Sequence, residues 1–186
     1  MIDPKNDLQR LKDSKEFKEW LETHEESYLS DFFCILDKDS SDDNLWQIDY
    51  YNPKEDTMTS FELPADKRKK CKLKEAESKV FKHDAEKVKE LELNNIKLND
   101  KETMDRAKEF LKEKHPGEKP TKTILILQHN KELDKPIWNL TFMTGSLNMF
   151  NAKIDPEKGD ILESSLKSAM SLKKEMLPGT KKPTAS

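Results

Sequence analysis

Glycine, arginine and long apolar runs are scarce in this chain of 186 residues. Only four glycines are present, which excludes a glycine-rich loop that wraps a phosphate with backbone amides. Three of the 34 basic residues are arginines, whereas phosphate clamps and base recognition favour guanidinium groups. The longest strictly apolar run, residues 124–127, is far shorter than the roughly 20 residues that a membrane helix needs.

Cysteine is also scarce, since Cys34 and Cys71 are the only two and stand 37 positions apart. This spacing excludes a C-x-x-C motif and a zinc knuckle. Cys34 lies in an apolar run and is predicted to be a buried thiol, whereas Cys71 lies between lysines and is predicted to be exposed. A disulfide between them is a less favoured alternative.

Charge is abundant but balanced. Charged residues make up 38% of the chain and apolar residues 33%, against about 25% and about 45–50% in a typical soluble domain. The formal net charge of −3 gives no overall attraction to DNA or to an anionic membrane. The first residues, 1–7, also lack the basic and apolar segments of a secretory signal, so a cytoplasmic location is predicted.

Residues 13–63 are predicted to form a helix followed by three antiparallel strands. Asp13 and Glu16 fit a capping box at the helix start. The first strand, 28–36, is apolar enough to be buried on both faces. The second, 45–51, alternates with Trp46 turned inward, and the third is predicted at 57–63.

A charged connector, 64–98, is predicted to contain a peripheral helix near residues 75–89 and a short extended piece after it. A second helix-plus-sheet unit is predicted at 99–163. Its helix starts with a capping box at Asn99 and stops at His115, which Pro116 and Gly117 follow. The strands of this unit are expected at 121–128, 137–143, 149–154 and 160–162. The remaining residues, 164–186, are predicted to form a short helix and a flexible tail.

The two units repeat one pattern. Trp46 and Trp138 each stand in a run of apolar, Trp, amide, apolar, polar and aromatic residues, with a capped helix and a strand before it. They are therefore interpreted as equivalent core residues of an internal duplication. Two unrelated amphipathic strands that each use Trp are the alternative.

The second unit resembles a PepSY-type domain. The resemblance is carried by its closing hairpin, where Ile154-Asp155, Gly159 and Ile161-Leu162 match the family's ending, while Pro156 and Lys158 depart from it. It implies an α+β fold in which a helix packs across a curved antiparallel sheet in the cystatin-like manner, here in two units that share one sheet or stand apart. It further implies a non-catalytic module of the kind suspected of regulating peptidases, and a likeness to cytoplasmic archaeal chains with two such units.

One segment is strongly basic. It contains Lys67, Arg68, Lys69, Lys70, Lys72 and Lys74. These cations are candidate contacts for nucleic acid, with salt-dependent binding, although no aromatic residue is interleaved for base stacking. A solvated linker is the favoured interpretation.

No catalytic, metal or cofactor residue is assigned from the sequence. The four histidines lack metal-ligand spacing, and the acidic run 37–43 misses the calcium-loop pattern. The favoured function is a non-enzymatic module that binds a protein or peptide through a sheet face or edge. An RNA- or ribosome-associated factor that uses the basic segment is the first alternative, and an enzyme of unrecognised type is the second.

Overall fold

The computed structural model describes residues 2–37, 45–64, 66, 68–79 and 88–168. Within these residues the chain forms three helices and eight strands. In chain order they are α1 (Pro4–Asp13), α2 (Lys15–Leu21), β1 (Tyr28–Asp37), β2 (Leu45–Asn52), β3 (Thr57–Pro64), β4 (Lys72–Lys79), α3 (Asp100–Lys114), β5 (Pro120–Asn130), β6 (Lys135–Thr144), β7 (Asn148–Ile154) and β8 (Ile161–Ser168).

All eight strands belong to one antiparallel sheet with the order β4-β3-β2-β1-β5-β6-β7-β8. Strands β1–β4 form one meander and β5–β8 another. The two meanders join where β1 pairs with β5, from Asp31 opposite Gln128 to Asp37 opposite Lys122. The α+β class is therefore confirmed, and both predicted sets of strands lie in a single sheet.

The helices cover one face of the sheet. Apolar side chains alternate along the strands, and those on the covered face meet the helices in a single core. Phe17 and Trp20 of α2 pack against Phe61 with ring centroids 5.4 Å and 5.1 Å away. On α3, Phe110 lies 6.1 Å from the ring of Phe150. This burial on one face supplies the main stabilising free energy of the fold.

Local signals fix where the helices begin. Asn99 and Glu102 form the predicted capping box of α3, which ends at His115 as expected. The box predicted at Asp13 is wrong, because Ser14 caps α2 by accepting the amide of Phe17, and α1 precedes it as a separate helix. Among the described helices, none combines the length and apolarity that a membrane crossing requires.

Residues 88–98 form a linker that crosses the helix layer and joins the two meanders. The Leu91 amide donates to the Leu29 carbonyl at 2.8 Å, and the Leu98 amide donates to the Pro156 carbonyl at 2.9 Å. Leu91, Ile96 and Leu98 are buried in this layer. The apolar residues of the predicted extended piece thus serve as core between the two ends of the sheet.

The predicted helical connector is wrong in part, because 72–79 form strand β4. This segment pairs with β3, so the hydrogen bonds of β3's outer edge outweigh the segment's weak helical pattern. Residues 80–87 of the connector lie outside the described residues. The predicted tail begins too early, since β8 continues to Ser168, and the rest of the tail, from 169 onward, also lies outside the described part.

Candidate functional site

The sheet face opposite the helices carries a strip of apolar side chains, and we call this side the open face. Its apolar members are Phe33, Ile35, Leu45, Ile124, Ile126 and Met143. In the pairing of β1 with β5, Phe33 is opposite Ile126 and Ile35 is opposite Ile124. Ile35 is 42% exposed, so the prediction that β1 is buried on both faces is wrong. The described helices cover only the other face of this strand.

An acidic pair borders the apolar strip on the open face. Asp31 of β1 and Asp49 of β2 are directly opposite each other in the strand register. The Ser30 hydroxyl donates to Asp31 at 2.7 Å, and the Gln47 amide donates to both oxygens of Asp49 at 2.9 Å. Asp49 is buried, and so is Ser60, which lies opposite it on β3.

Burial and mutual repulsion make this pair hold a proton. The pKa of Asp31 rises to about 7, first because the carboxyl group is buried and then because Asp49 is charged. Burial also raises the pKa of Asp49, while hydrogen bonds from Ser60 and Gln47 lower it in part. Ionising both of two neighbouring carboxyl groups costs electrostatic free energy, because their negative charges repel each other. The pair therefore gains negative charge as the pH rises through about 7.

Polar side chains border the strip on its other side. The side-chain amide of Asn151 donates to Asn139 Oδ1 at 2.8 Å and to Thr141 Oγ1 at 2.9 Å. Next to them, Lys153 forms ion pairs with Glu132 and Glu163 at 2.9 Å and 2.7 Å. The open face is thus an apolar strip between an acidic border and an amide border.

The described cations of the predicted basic segment lie near one another, since Arg68, Lys69 and Lys70 line one cleft and Lys69, Lys70 and Lys72 line a second. Arg68 pairs with Asp66 through two hydrogen bonds of 3.0 Å and 3.1 Å. Lys74 lies on β4, where it donates to Gln47 Oε1 at 3.0 Å. Lys69, Lys70 and Lys72 are exposed, and Lys67 lies outside the described residues. The nucleic-acid contact of this segment stays a prediction. In this structure the Arg68 guanidinium is already paired with the Asp66 carboxylate.

The two tryptophans singled out in the sequence meet in the core. Trp46 on β2 and Trp138 on β6 are both buried, and their ring centroids are 6.2 Å apart in an edge-on arrangement. Each lies on the second strand of its meander. The indole nitrogen of Trp138 also donates to the Leu98 carbonyl at 3.2 Å. These residues hold the fold together and do not face the open side.

Both cysteines are free and buried. The buried thiol of Cys34 is confirmed, and its burial raises its pKa to about 12. The predicted exposure of Cys71 is wrong, because the loop before it folds onto α1. Arg10 holds this loop by donating to the carbonyls of Pro64, Asp66 and Lys69.

The described histidines lie apart from one another. His24 stacks on Trp20, His115 ends α3, and His129 bonds to Asp134. In the described part of the chain, no group of three or more His, Cys, Asp or Glu side chains could hold a metal ion. His83 and the acidic turn 38–44 lie outside that part.

Comparison of the sequence with known proteins finds no match, whereas comparison of the structure with solved structures finds a chain with a similar fold. No family model matches the chain, and no curated protein matches it. The fold is similar to the crystal structure of a "putative lipoprotein" from Clostridium difficile 630, with a TM-score of 0.50 and 15% sequence identity. The match covers 81% of this chain and 89% of that one. At this identity the likeness shows a shared fold.

This match contradicts the predicted cytoplasmic location. The description of the solved chain as a lipoprotein points to a membrane-anchored or secreted protein. The prediction rested on the first residues of the sequence, and the folded domain itself does not record how a protein is targeted. The cytoplasmic location is therefore wrong and is not retained.

The acidic pair is the feature of the open face that sequence reasoning missed. Asp31 interrupts the apolar run of β1, and Asp49 points outward from an alternating strand. An isolated carboxylate on an outward position is ordinary, so neither residue stands out alone. Only the register of β1 against β2, which the sequence does not provide, places them side by side.

Proposed function

We propose that this protein is a non-enzymatic binding module whose open face receives a protein or peptide partner. The apolar strip of the open face is the observation that carries this proposal. Ile35, Leu45 and Met143 are 42%, 45% and 37% exposed, and they lie on one face of the four consecutive strands β2, β1, β5 and β6. A contiguous apolar patch rimmed by polar side chains is typical of an interaction site.

The face is a better docking surface than the strand edges. The outer strands, β4 and β8, carry charged and hydroxyl residues along their length, including Lys72, Lys74, Glu163 and Lys167. Charged edge strands resist the addition of a further strand. The proposal therefore places the partner across the strands of the open face and not beside β4 or β8.

The acidic border indicates the chemistry of the partner. Asp31 and Asp49 lie next to the apolar strip, and the pair gains negative charge as the pH rises through about 7. A partner with apolar side chains and a neighbouring lysine or arginine would satisfy both features, because charge complementarity selects among partners of similar apolarity.

We further propose that the two halves arose by duplication of one helix-plus-sheet unit of PepSY type. The matching sequence patterns around Trp46 and Trp138 support this, as does the equal number of strands in the two meanders. The non-catalytic role that goes with the PepSY resemblance belongs to the same proposal. A solved structure in which 14–63 and 100–163 do not superpose would count against the duplication.

Capture of a partner by the wild-type protein and by two variants tests the binding module. Ile35→Lys combined with Leu45→Lys places cations on the apolar strip. Leu147→Lys is the matched control, because Leu147 is 65% exposed in the turn between β6 and β7, which β5 separates from the strands of Ile35 and Leu45. The captured protein is then purified and titrated by calorimetry.

We expect the wild type and the control to bind the same partner with equal affinity. The double variant should bind at least about tenfold more weakly, as for loss of a central apolar contact. Equal affinity of all three proteins, or no captured protein at low and high salt, would contradict the proposal.

A further inference from the structure

A cleft opens in the helix layer, on the opposite side of the sheet from the open face. Helices α1 and α2 form one wall and linker residues 90–94 form the other, with Leu29 and Tyr50 of the sheet between them. Its volume is about 530 Å³, within the range of about 300–1,000 Å³ typical of small-molecule sites. The Leu91 amide and the Lys5 ammonium fasten the linker wall to Leu29 and α1.

Apolar side chains form most of the cleft surface. They are Leu8, Phe17, Leu21, Leu29, Leu91 and Leu93. Leu29 and Leu91 are buried in the core, whereas Leu8, Leu21 and Leu93 are only partly covered by other residues. The partly covered leucines leave apolar surface that a ligand could remove from water.

Two hydroxyl groups beside the cleft are buried and have no hydrogen-bond partner within the described part of the chain. The hydroxyls of Tyr50 and Ser27 have no hydrogen-bond partner among the described residues, and both side chains line the cleft. By contrast, the nearby Tyr28 hydroxyl donates to the Val88 carbonyl at 2.6 Å. Most buried polar groups are hydrogen-bonded, so two orphans in one place call for an explanation. Tyr50 is itself only 4% exposed, which fixes the position of its ring.

The charges at the mouth of the cleft balance. Lys12 and Lys18 lie on the helix wall, and Glu90 and Glu92 lie on the linker wall. An anionic ligand would meet the two carboxylates and a cationic one the two ammonium groups. Burial and the Glu90 charge raise the pKa of Tyr50 well above its usual range, so its hydroxyl keeps its proton and can donate it in a hydrogen bond.

From these observations we infer that the cleft binds a small uncharged amphipathic molecule. Its apolar body lies against the leucines and Phe17, and a hydroxyl or carbonyl oxygen accepts a hydrogen bond from Tyr50. Ser27 is partly exposed, so rotation about its Cα–Cβ bond presents a second hydroxyl to the same ligand oxygen. The site is independent of the partner proposed for the open face.

A pair of ligands of equal shape tests this site. Benzyl alcohol carries a hydroxyl where ethylbenzene carries a methyl, and both are titrated against isotopically labelled protein by two-dimensional NMR. Tyr50→Phe keeps the ring that packs 5.0 Å from Phe17 and removes only the orphan hydroxyl, so the variant should fold. Leu93→Arg obstructs the cleft, and Leu147→Lys serves as the distant control.

We expect saturable binding of benzyl alcohol to the wild type, with shifts at the amides of Leu29 and Leu91. Tyr50→Phe should weaken benzyl alcohol about three- to tenfold and leave ethylbenzene unchanged. Leu93→Arg should abolish binding of both probes, and Leu147→Lys should abolish neither. Equal affinity of wild type and Tyr50→Phe for benzyl alcohol, shifts confined to the open face, or no saturable binding would each overturn the inference.

Discussion

Two carboxyl groups that share a border of the open face couple the stability of this protein to pH. Asp31 keeps its proton up to about pH 7 in the folded state, whereas an unfolded aspartate, with its ordinary pKa of 3.8, loses it near pH 4. Between these values the folded state binds more protons than the unfolded state. The free energy of unfolding therefore falls as the pH rises from about 4 to about 7.

Asp31→Asn should weaken this dependence and leave only the part that comes from Asp49. An asparagine amide can still donate to Asp49 but carries no charge, so the variant should be more stable than the wild type at pH 8 by about 1–3 kcal/mol. Denaturant unfolding at pH 5 and pH 8 measures the effect. Asp105→Asn, on the exposed side of α3, is the control and should keep the wild-type difference. If the Asp31→Asn variant shows the same difference in free energy of unfolding between pH 5 and pH 8 as the wild type, the claim that Asp31 holds a proton is wrong.

Individual residue environments could be predicted from the sequence only where neighbours in the chain decide them. Cys34 lies in an apolar run, and its burial was predictable. Cys71 lies between lysines, and its burial depends on Arg10, more than fifty residues away, which holds the loop before it. The surroundings of the Tyr50 hydroxyl include the linker that crosses the helix layer, about 40 residues further along the chain. The sequence around Tyr50 therefore gave no indication of them.

Among the elements, strands with one covered face were the most predictable. Strands β2 and β6 alternate because one side meets the helices and the other does not, and their predicted bounds agree with the structure within two residues. Strands β4 and β8 are outer strands with polar sequences. Their strand state comes from pairing with β3 and β7, a tertiary effect that outweighs local preference.

The turn between β7 and β8 depends on a glycine that the sequence marked. Gly159 has φ +81°, and a Cβ there would clash with the Arg106 guanidinium group on α3. Asp155 accepts the amides of Glu157 and Lys158 in the same turn. Burial raises the pKa of Asp155, but these hydrogen bonds and the one from Lys135 outweigh burial and leave the pKa below its usual value.

Gly159→Ala should therefore destabilise the fold by about 1–2 kcal/mol, because alanine strains the left-handed backbone and displaces Arg106. Gly117→Ala is a matched control, since a Cβ at Gly117 meets nothing within 4 Å and no positive φ is required there. Thermal unfolding compares the two variants with the wild type. Equal melting temperatures of both variants would show that the turn tolerates a side chain.

At the scale of the whole molecule, one sheet whose described helices all lie on one face accounts for the low apolar content. Only one side of the eight strands and the inner sides of three helices need apolar residues, so 33% apolar composition suffices for the core. The prediction of two units could not establish this, because the β1–β5 pairing joins residues about 90 positions apart. Long-range pairing of this kind leaves no periodic trace in the sequence.

The contact between Trp46 and Trp138 spans the centre of this sheet. Strands β1 and β5 lie between β2 and β6, so the two indoles meet above the junction of the meanders. If this contact couples the halves, Trp46→Leu and Trp138→Leu should each cost about 2–4 kcal/mol. The double variant should then lose less than the sum of the two, with a coupling of about 0.5–1.5 kcal/mol.

A second set of single and double variants, which combines Trp20 with Trp138, serves as the reference for this coupling measurement. Trp20 packs with Phe17, Tyr50 and Phe61 at one end of the core, away from Trp138. Trp20→Leu and Trp138→Leu should therefore be additive within about 0.5 kcal/mol in urea unfolding. Additivity in both cycles would mean that the edge-on contact holds no free energy of its own. The halves would then be joined by the β1–β5 ladder and the 88–98 linker, without a contribution from the paired tryptophans.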